Sequence, residues 1–383
     1  MNLSESCSRS KSSRLVVRTL YLVGIFVLFG AGELSAAERA GWQAEWERVQ
    51  AGAKKEEKVI VFGPPGAAAR RGLSEGFEKS FPGIEVEYNG MTGSKASPRL
   101  LAERRAGRYL VDVHVGGTGS MLQSLLPAGA LDPIPPALIL PEVVDPKKWW
   151  LGKLEFSDTA GKYNLVFTTN VRTHVAVNPK LVKTAELKSY WDFLNPKWRG
   201  KIVMDDPTLS GPGQGTAKFF LIHPDLGKEY IRRLFTEQKI TLLRNERQAL
   251  EWVVRGDYLI AISPSELHTN ELKSKGLSID LVRGEQFKES STLNVGFGSV
   301  ALMNRAPHPN AARLYLNWLL SKEGQTDWSR ASSYPSRRLD VPRDHLNPES
   351  LPQEGKSYLP TYKEEYFKYN DEAEAFIIEL LKR

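Results

Sequence analysis

Between residues 59 and 115 the chain alternates short apolar runs with amphipathic stretches, and few folds admit that alternation. Val59-Ile-Val-Phe62 reads as a first strand closed by Gly63-Pro64-Pro65-Gly66, and a helix follows from Ala67 to Ser80. Ile84-Glu-Val-Glu-Tyr88 reads as a second strand with Asn89-Gly90 as its turn, Ser97–Arg105 as a helix and Asp112-Val-His-Val115 as a third strand. Strands joined through helices run parallel, because only a long crossover returns the chain to the same end of a sheet. The predicted class is therefore α/β. Beyond Trp149-Trp150, Leu165–Thr169 and His174–Val177 read as extended segments that cross into a second lobe. Ile202–Met204, Thr241–Leu243 and Leu259–Ile262 are strands of that lobe, and Asn294–Leu302 is a return strand to the first. The expected organisation is 1–37 leader, 38–170 first lobe, 171–290 second lobe, and 291–383 the return to the first lobe with the C-terminal helices. No internal repeat or low-complexity segment interrupts it.

The N-terminal residues have the layout of a cleavable secretory signal. Arg9, Lys11, Arg14 and Arg18 precede the apolar run Thr19–Ala31, and Leu34-Ser-Ala-Ala37 offers small residues for cleavage. The run is short for a membrane span, which needs about 20 apolar residues; an uncleaved anchor is the alternative. The single cysteine, Cys7, lies before the run, where it cannot serve as a lipid anchor after cleavage. A processed chain would be exported without any cysteine, and its stability would rest on core burial rather than disulfides. The full chain carries +7; residues 1–37 hold four basic and two acidic residues, which leaves +5. A modest positive charge suits an anionic solute. No block of Lys and Arg with interleaved aromatics points to nucleic acid.

Two blocks narrow the function. Ala306–Gln325 has a proline-rich entry, with Pro309 suited to a first helical turn and Gly324 to the C-terminal end. Ala312, Tyr315, Leu316, Leu319 and Leu320 fall at the spacings of one buried face. Tyr190–Pro207 runs from a helix through Trp198-Arg-Gly200 into a strand, and Gly256-Asp-Tyr258 leads into another strand. Together these blocks resemble the extracellular solute-binding proteins of ABC importers, in the ferric-iron-type branch that also takes other small, often anionic solutes. The resemblance spans roughly residues 55–340. It implies the two-lobe periplasmic-binding-protein fold of type II, with the lobes joined by two crossing strands around a ligand cleft. It also implies a periplasmic monomer that closes over its solute and delivers it to an inner-membrane permease.

Ligand groups are expected where strands end and helices begin, since helix N-termini offer unpaired N–H groups and a positive dipole end. The candidates are Gly63 and Pro64; Thr92, Gly93 and Ser94; Gly117 and Thr118; and Ser210, Gly211 and Gly213, in a loop opening a helix near Ala217. Each glycine loop is alternatively a turn that needs positive φ. Pro212 lacks an N–H and removes one donor from the last of them. Ser263 and Ser265 are small donors, Tyr334 matches a family loop bordering the cleft, and Arg337 pairs with a carboxylate or phosphate unless it is a surface charge. Trp149 and Trp150 read as lobe packing rather than a stacking platform.

The ferric members hold their metal with an adjacent tyrosine pair, a histidine and a carboxylate. Here the corresponding region reads Ser263-Pro-Ser-Glu-Leu-His268, with no tyrosine pair. Glu266 and His268, the remaining metal candidates, stand two apart at a helix start, where side chains diverge. No metal site and no cofactor are therefore expected, and ferric binding through other ligands is the alternative. A secreted enzyme fits less well: there is no G-x-S-x-G, no H-E-x-x-H and no phosphate-binding lysine loop.

Overall fold

The computed structural model describes residues 41–209, 211–353 and 355–382. The leader at 1–37 and Ser210 lie outside the described residues. Two sheets form two lobes. The first runs Glu85–Gly90, Lys58–Gly63, Val113–Gly116, Ser299–Met303, Leu165–Val166 and Glu155–Phe156, with Leu131–Asp132 also paired to Ser299–Met303. Its first three strands are parallel, and Ser299–Met303 is inserted antiparallel to both neighbours. The second sheet runs Thr241–Leu243, Ile202–Asp205, Ile260–Ile262, Val175–Val177 and Asp280–Val282, the first three again parallel. Asn170–Val171 and Leu293–Asn294 pair antiparallel in a separate two-stranded ladder between the sheets. These are the two crossing strands.

Both sheets are covered on both faces, which explains the continuous apolar runs of their strands. Along the strand Lys58–Gly63, Val59 and Val61 enter a core with Phe77, Tyr315 and Trp318, while Ile60 and Phe62 pack with Met121 and Ala301 behind. In the second lobe Ile202, Met204, Ile260 and Ile262 meet an aromatic cluster that includes Phe193, Phe219, Phe220 and Tyr230. Tyr190 and Phe287 stack there at 4.4 Å between centroids. Among the described residues no helix is long and apolar enough to cross a membrane.

Several local expectations need correction. Asn89-Gly90 is no turn but the end of the second strand, paired with Phe62 and Gly63. The next helix begins at Gly93, and Thr92 starts it as its N-cap residue, leaving Pro98 inside. The helix over Pro309–Leu320 stops before Gly324, because Ser321 accepts from the Gly324 N–H at 3.2 Å and starts a second helix, Lys322–Ser332. The return strand is broken: Gly296, at φ 53°, turns the chain between the ladder and the sheet. The helix Lys368–Leu381, grouped by sequence with the return to the first lobe, packs on the second, with Ala373, Ile377 and Leu380 in its core.

Candidate functional site

The parallel strands of each lobe end toward the crossing ladder, and a cavity of about 230 Å³ lies there. Gly117, Thr118 and Gly119 enter it directly after the strand Val113–Gly116. The ladder strand supplies its wall over residues 292–296. Across it stand Arg172, on the segment entering the second lobe, and Gly215 and Lys218 of the helix Pro212–Ile222. Thr361, Tyr362 and Phe367 of the tail complete the lining.

Arg172 Nη2 donates to the Pro212 carbonyl at 3.2 Å, which draws the guanidinium along the start of that helix. Lys218 is 6 % exposed; its Nζ donates to the Thr361 carbonyl at 3.1 Å and lies 4.8 Å from the Phe367 ring centroid. Burial and, in smaller part, the charge of Arg172 lower the Lys218 pKa to about 8. No acidic residue lines this cavity among the described residues. Two cations thus line one confined space.

Behind them sits His174. Its ring bridges Thr216 Oγ1 at 2.9 Å and Thr292 Oγ1 at 3.2 Å, tying the helix to the crossing strand. The ring stacks on Phe219 at 4.7 Å, and burial holds it neutral, its pKa well below the usual histidine range.

Of the residues expected at the site, Gly117 and Thr118 line the cavity. Gly117 meets the Gly296 carbonyl, and Gly296 lies against the Tyr334 ring, so Tyr334 reaches the cleft edge through the ladder. Gly93 packs against Ser120, which joins the Thr92–Ser94 helix start to the same loop; the Ser94 side chain is outside the described set. Gly63 and Pro64 close on Tyr88, whose hydroxyl donates to the Pro64 carbonyl at 2.6 Å.

The glycine loop of the second lobe needs a larger correction. Its helix begins at Pro212, not near Ala217, and the proline sits at N1, where a missing N–H costs nothing. Gly213 N donates to the Asp205 carboxylate at 2.7 Å. The predicted anion cradle there already holds an anion of the chain's own. Ser263 follows its strand at φ 60° with a buried, unpartnered hydroxyl, whereas Ser265 caps the helix Glu266–Ser274 through the His268 N–H. Ser263 is not among the residues that line the cavity. Arg337 is no surface charge: it is buried, and it is not among the residues that line this cavity. Among the described residues no three His, Cys, Asp or Glu side chains are placed to hold a metal ion.

Sequence reasoning missed Arg172 and Lys218. A signal for Lys218 existed, since it is the only charged residue in the helix PGQGTAKFFLI and precedes two core phenylalanines.

Two lobes, two crossing strands and a polar cavity at their junction define a solute-binding protein of the two-lobe type. The chain belongs to the family of bacterial extracellular solute-binding proteins, whose model matches residues 73–350. No curated protein matches its sequence. Among solved structures, iron-bound HitA from Pseudomonas aeruginosa is similar at 20 % identity and TM-score 0.62, covering 84 % of this chain and 99 % of that one. The Trichodesmium protein IdiA (FutA), in complex with iron and citrate, is similar at 18 % and TM-score 0.66, covering 84 % and 99 %. AfuA from Actinobacillus pleuropneumoniae, with fructose-6-phosphate bound, is similar at 20 % and TM-score 0.56, covering 85 % and 98 %. At such identities the likeness is one of fold.

Proposed function

We propose that the protein captures a small anionic, oxygen-rich solute in the interlobe cavity and delivers it to the permease of an ABC importer, working as a cleaved, periplasmic monomer without turnover. The observation that carries this reading is the pairing of Arg172 with Lys218 in one cavity, with no carboxylate among its described lining residues. Burial first and the charge of Arg172 second make the Lys218 cation costly, and its lowered pKa registers both. An anion between them offsets that cost by pairing with both charges. Gly117 and Thr118 stand at the end of the third strand, where backbone N–H groups add to the charge. The bound species of two structural neighbours, citrate with iron and a sugar phosphate, belong to the same chemical class.

Closure follows from the ladder. The lobes share two short strands, so a ligand touching both is gained fully only when they rotate together. Small-angle scattering is expected to show compaction on adding the solute. Citrate, fructose-6-phosphate and inorganic phosphate are the first solutes to test by thermal unfolding; a solute at 100 times its Kd stabilises by about 2.7 kcal/mol. The reading fails if ferric ion alone gives the larger stabilisation with a visible tyrosinate band, or if a bound solute is chemically converted. N-terminal sequencing of exported protein is expected to begin near Ala37 or Glu38.

A further inference from the structure

The family match ends at residue 350, and the tail that follows supplies one side of the interlobe cavity. On its way there, Leu351, Pro352 and Lys356 line an edge cavity of about 460 Å³ with Trp150 and Arg337. The Arg337 backbone donates to the Phe167 carbonyl and accepts from Trp150 N, both at 2.8 Å. The tail then reaches the interlobe cavity with Thr361, Tyr362 and Phe367.

Both lobes hold this segment. Leu359 bonds to the crossing strand, donating to the Ser291 carbonyl and accepting from Leu293 N, both at 3.1 Å. Tyr362 donates to the Glu155 carboxylate at 3.2 Å, and Lys363 pairs with the same carboxylate at 2.6 Å. Glu364 N donates to the Ser157 carbonyl at 2.8 Å. These partners lie on or beside Glu155–Phe156, the edge strand of the first sheet. From Lys368 onward the chain is the helix that packs into the core of the second lobe. The tail is thus a third connection between the lobes, beside the two ladder strands.

Phe367 stands at its crossing point. The ring centroid is 4.8 Å from Lys218 Nζ of the second lobe. The ring edge reaches Gly119 of the first, where a Cβ would stand 3.4 Å from Phe367 Cε1. One ring therefore spans from one lobe to the other. The Thr361 carbonyl takes one of the three N–H donors of the Lys218 ammonium, which aims the cation without exhausting it. Small-molecule pockets commonly measure about 300–1,000 Å³. At about 230 Å³ the interlobe cavity is smaller, and Phe367, only half-buried, is the wall whose loss enlarges it without opening a core.

We propose that Phe367 is a specificity-determining residue of the interlobe cavity, whose ring takes the space that a substituent on the bound anion would need. The proposal rests on the anion reading given above and narrows it: the preferred solute is a compact oxyanion of the size of inorganic phosphate, rather than one carrying a sugar or several carboxymethyl arms. Filling space of this kind discriminates by about 10- to 200-fold per methylene-sized group. The selectivity belongs to the tail, outside the residues that the family model matches.

Calorimetry of inorganic phosphate, citrate and fructose-6-phosphate with the full protein, Phe367→Leu and Phe367→Ala tests this, circular dichroism of each variant being matched to the parent. The parent is expected to bind phosphate most tightly. The affinity of the bulkier anions relative to phosphate is expected to rise by about tenfold or more in Phe367→Ala and by less in Phe367→Leu, which carries the comparison if the alanine variant misfolds. Arg172→Gln is expected to weaken all three together. The proposal is overturned, and the anion reading kept, if the parent binds at least one of the three but prefers a bulkier anion, or if neither variant changes the relative affinities by more than about twofold. If neither the parent nor a variant binds any of them, the anion reading itself fails and this proposal with it.

Discussion

The tail borders two cavities, and they are built from different materials. The interlobe cavity is walled by backbone and glycine, with Gly117, Gly119, Gly215 and Gly296 in its lining and its cations contributed from the side of the second lobe. The edge cavity is walled by side chains and anchored by an arginine whose backbone is fixed within the first lobe. The difference teaches how each responds to lobe rotation. A cavity divided between two bodies changes shape when they rotate, while a cavity whose arginine is pinned within one body does not.

The sharpest way to break the comparison is to remove one interlobe cation. Arg172→Gln or Lys218→Met is expected to weaken interlobe anion binding by about 30-fold or more, since losing one desolvated partner of a charged contact costs about 2–5 kcal/mol. Calorimetry with the interlobe solute checks this, and an unchanged affinity would remove that cation from the site.

Acid comes next. His114 and His174 are both held neutral by burial, His114 down to about 4. Their folded pKa values lie below the unfolded value near 6.5, so the unfolded chain binds protons first and stability falls as pH drops below that value. The expected loss is about 1.4 kcal/mol per pH unit per histidine until the folded pKa is reached. Chemical denaturation between pH 7 and 4 measures it, and His174→Gln is expected to flatten the curve.

At alkaline pH the two consequences of Lys218 part. Its folded pKa, about 8, lies below the unfolded value of 10.5, so the cost of burying its charge is relieved between those values and the free protein gains stability. Anion affinity is expected to fall over the same window by up to about tenfold per unit. Lys218→Arg removes that fall. A flat affinity profile in the parent would exclude Lys218 from the interlobe site.

Two glycines give the smallest effects. Gly296→Ala is expected to destabilise by about 1–2 kcal/mol, because φ is 53° and a Cβ collides with the Tyr334 ring. Gly117→Ala is expected to cost under about 0.5 kcal/mol, since a Cβ there stands 3.3 Å from the Gly296 carbonyl and a slight shift accommodates it. Thermal unfolding orders the two.

The fold was legible because its signals are local. Val59–Phe62 and Ala67–Ser80 declare strand and helix by period and bounding glycines, and the structure keeps them there almost to the residue. The face of Ala312, Tyr315, Leu316, Leu319 and Leu320 is wholly buried. Of the candidate cavity, the sequence reading reached only the lining made by backbone, at Gly117 and Thr118. Arg172 and Lys218 were not legible, because what distinguishes them is that both reach one cavity from different elements, a property of three-dimensional neighbours. Gly213 misled for the same reason: its spacing fits an anion cradle, but Asp205, eight residues earlier, turns back to fill it.

The strand Ser299–Met303 sits in the middle of the first sheet, between Val113–Gly116 and Leu165–Val166. Pairs such as Val300 with Val115 join residues far apart in the chain, and the second lobe's core likewise waits for Ile377 and Leu380. A chain emerging from the ribosome therefore completes neither lobe until nearly all of it exists. Native contacts of such long range form slowly, after loop closure has been overcome. For a member of an extracellular family this delay has a use: the polypeptide stays open, and recognisable to the machinery that handles unfolded chains, for most of its synthesis.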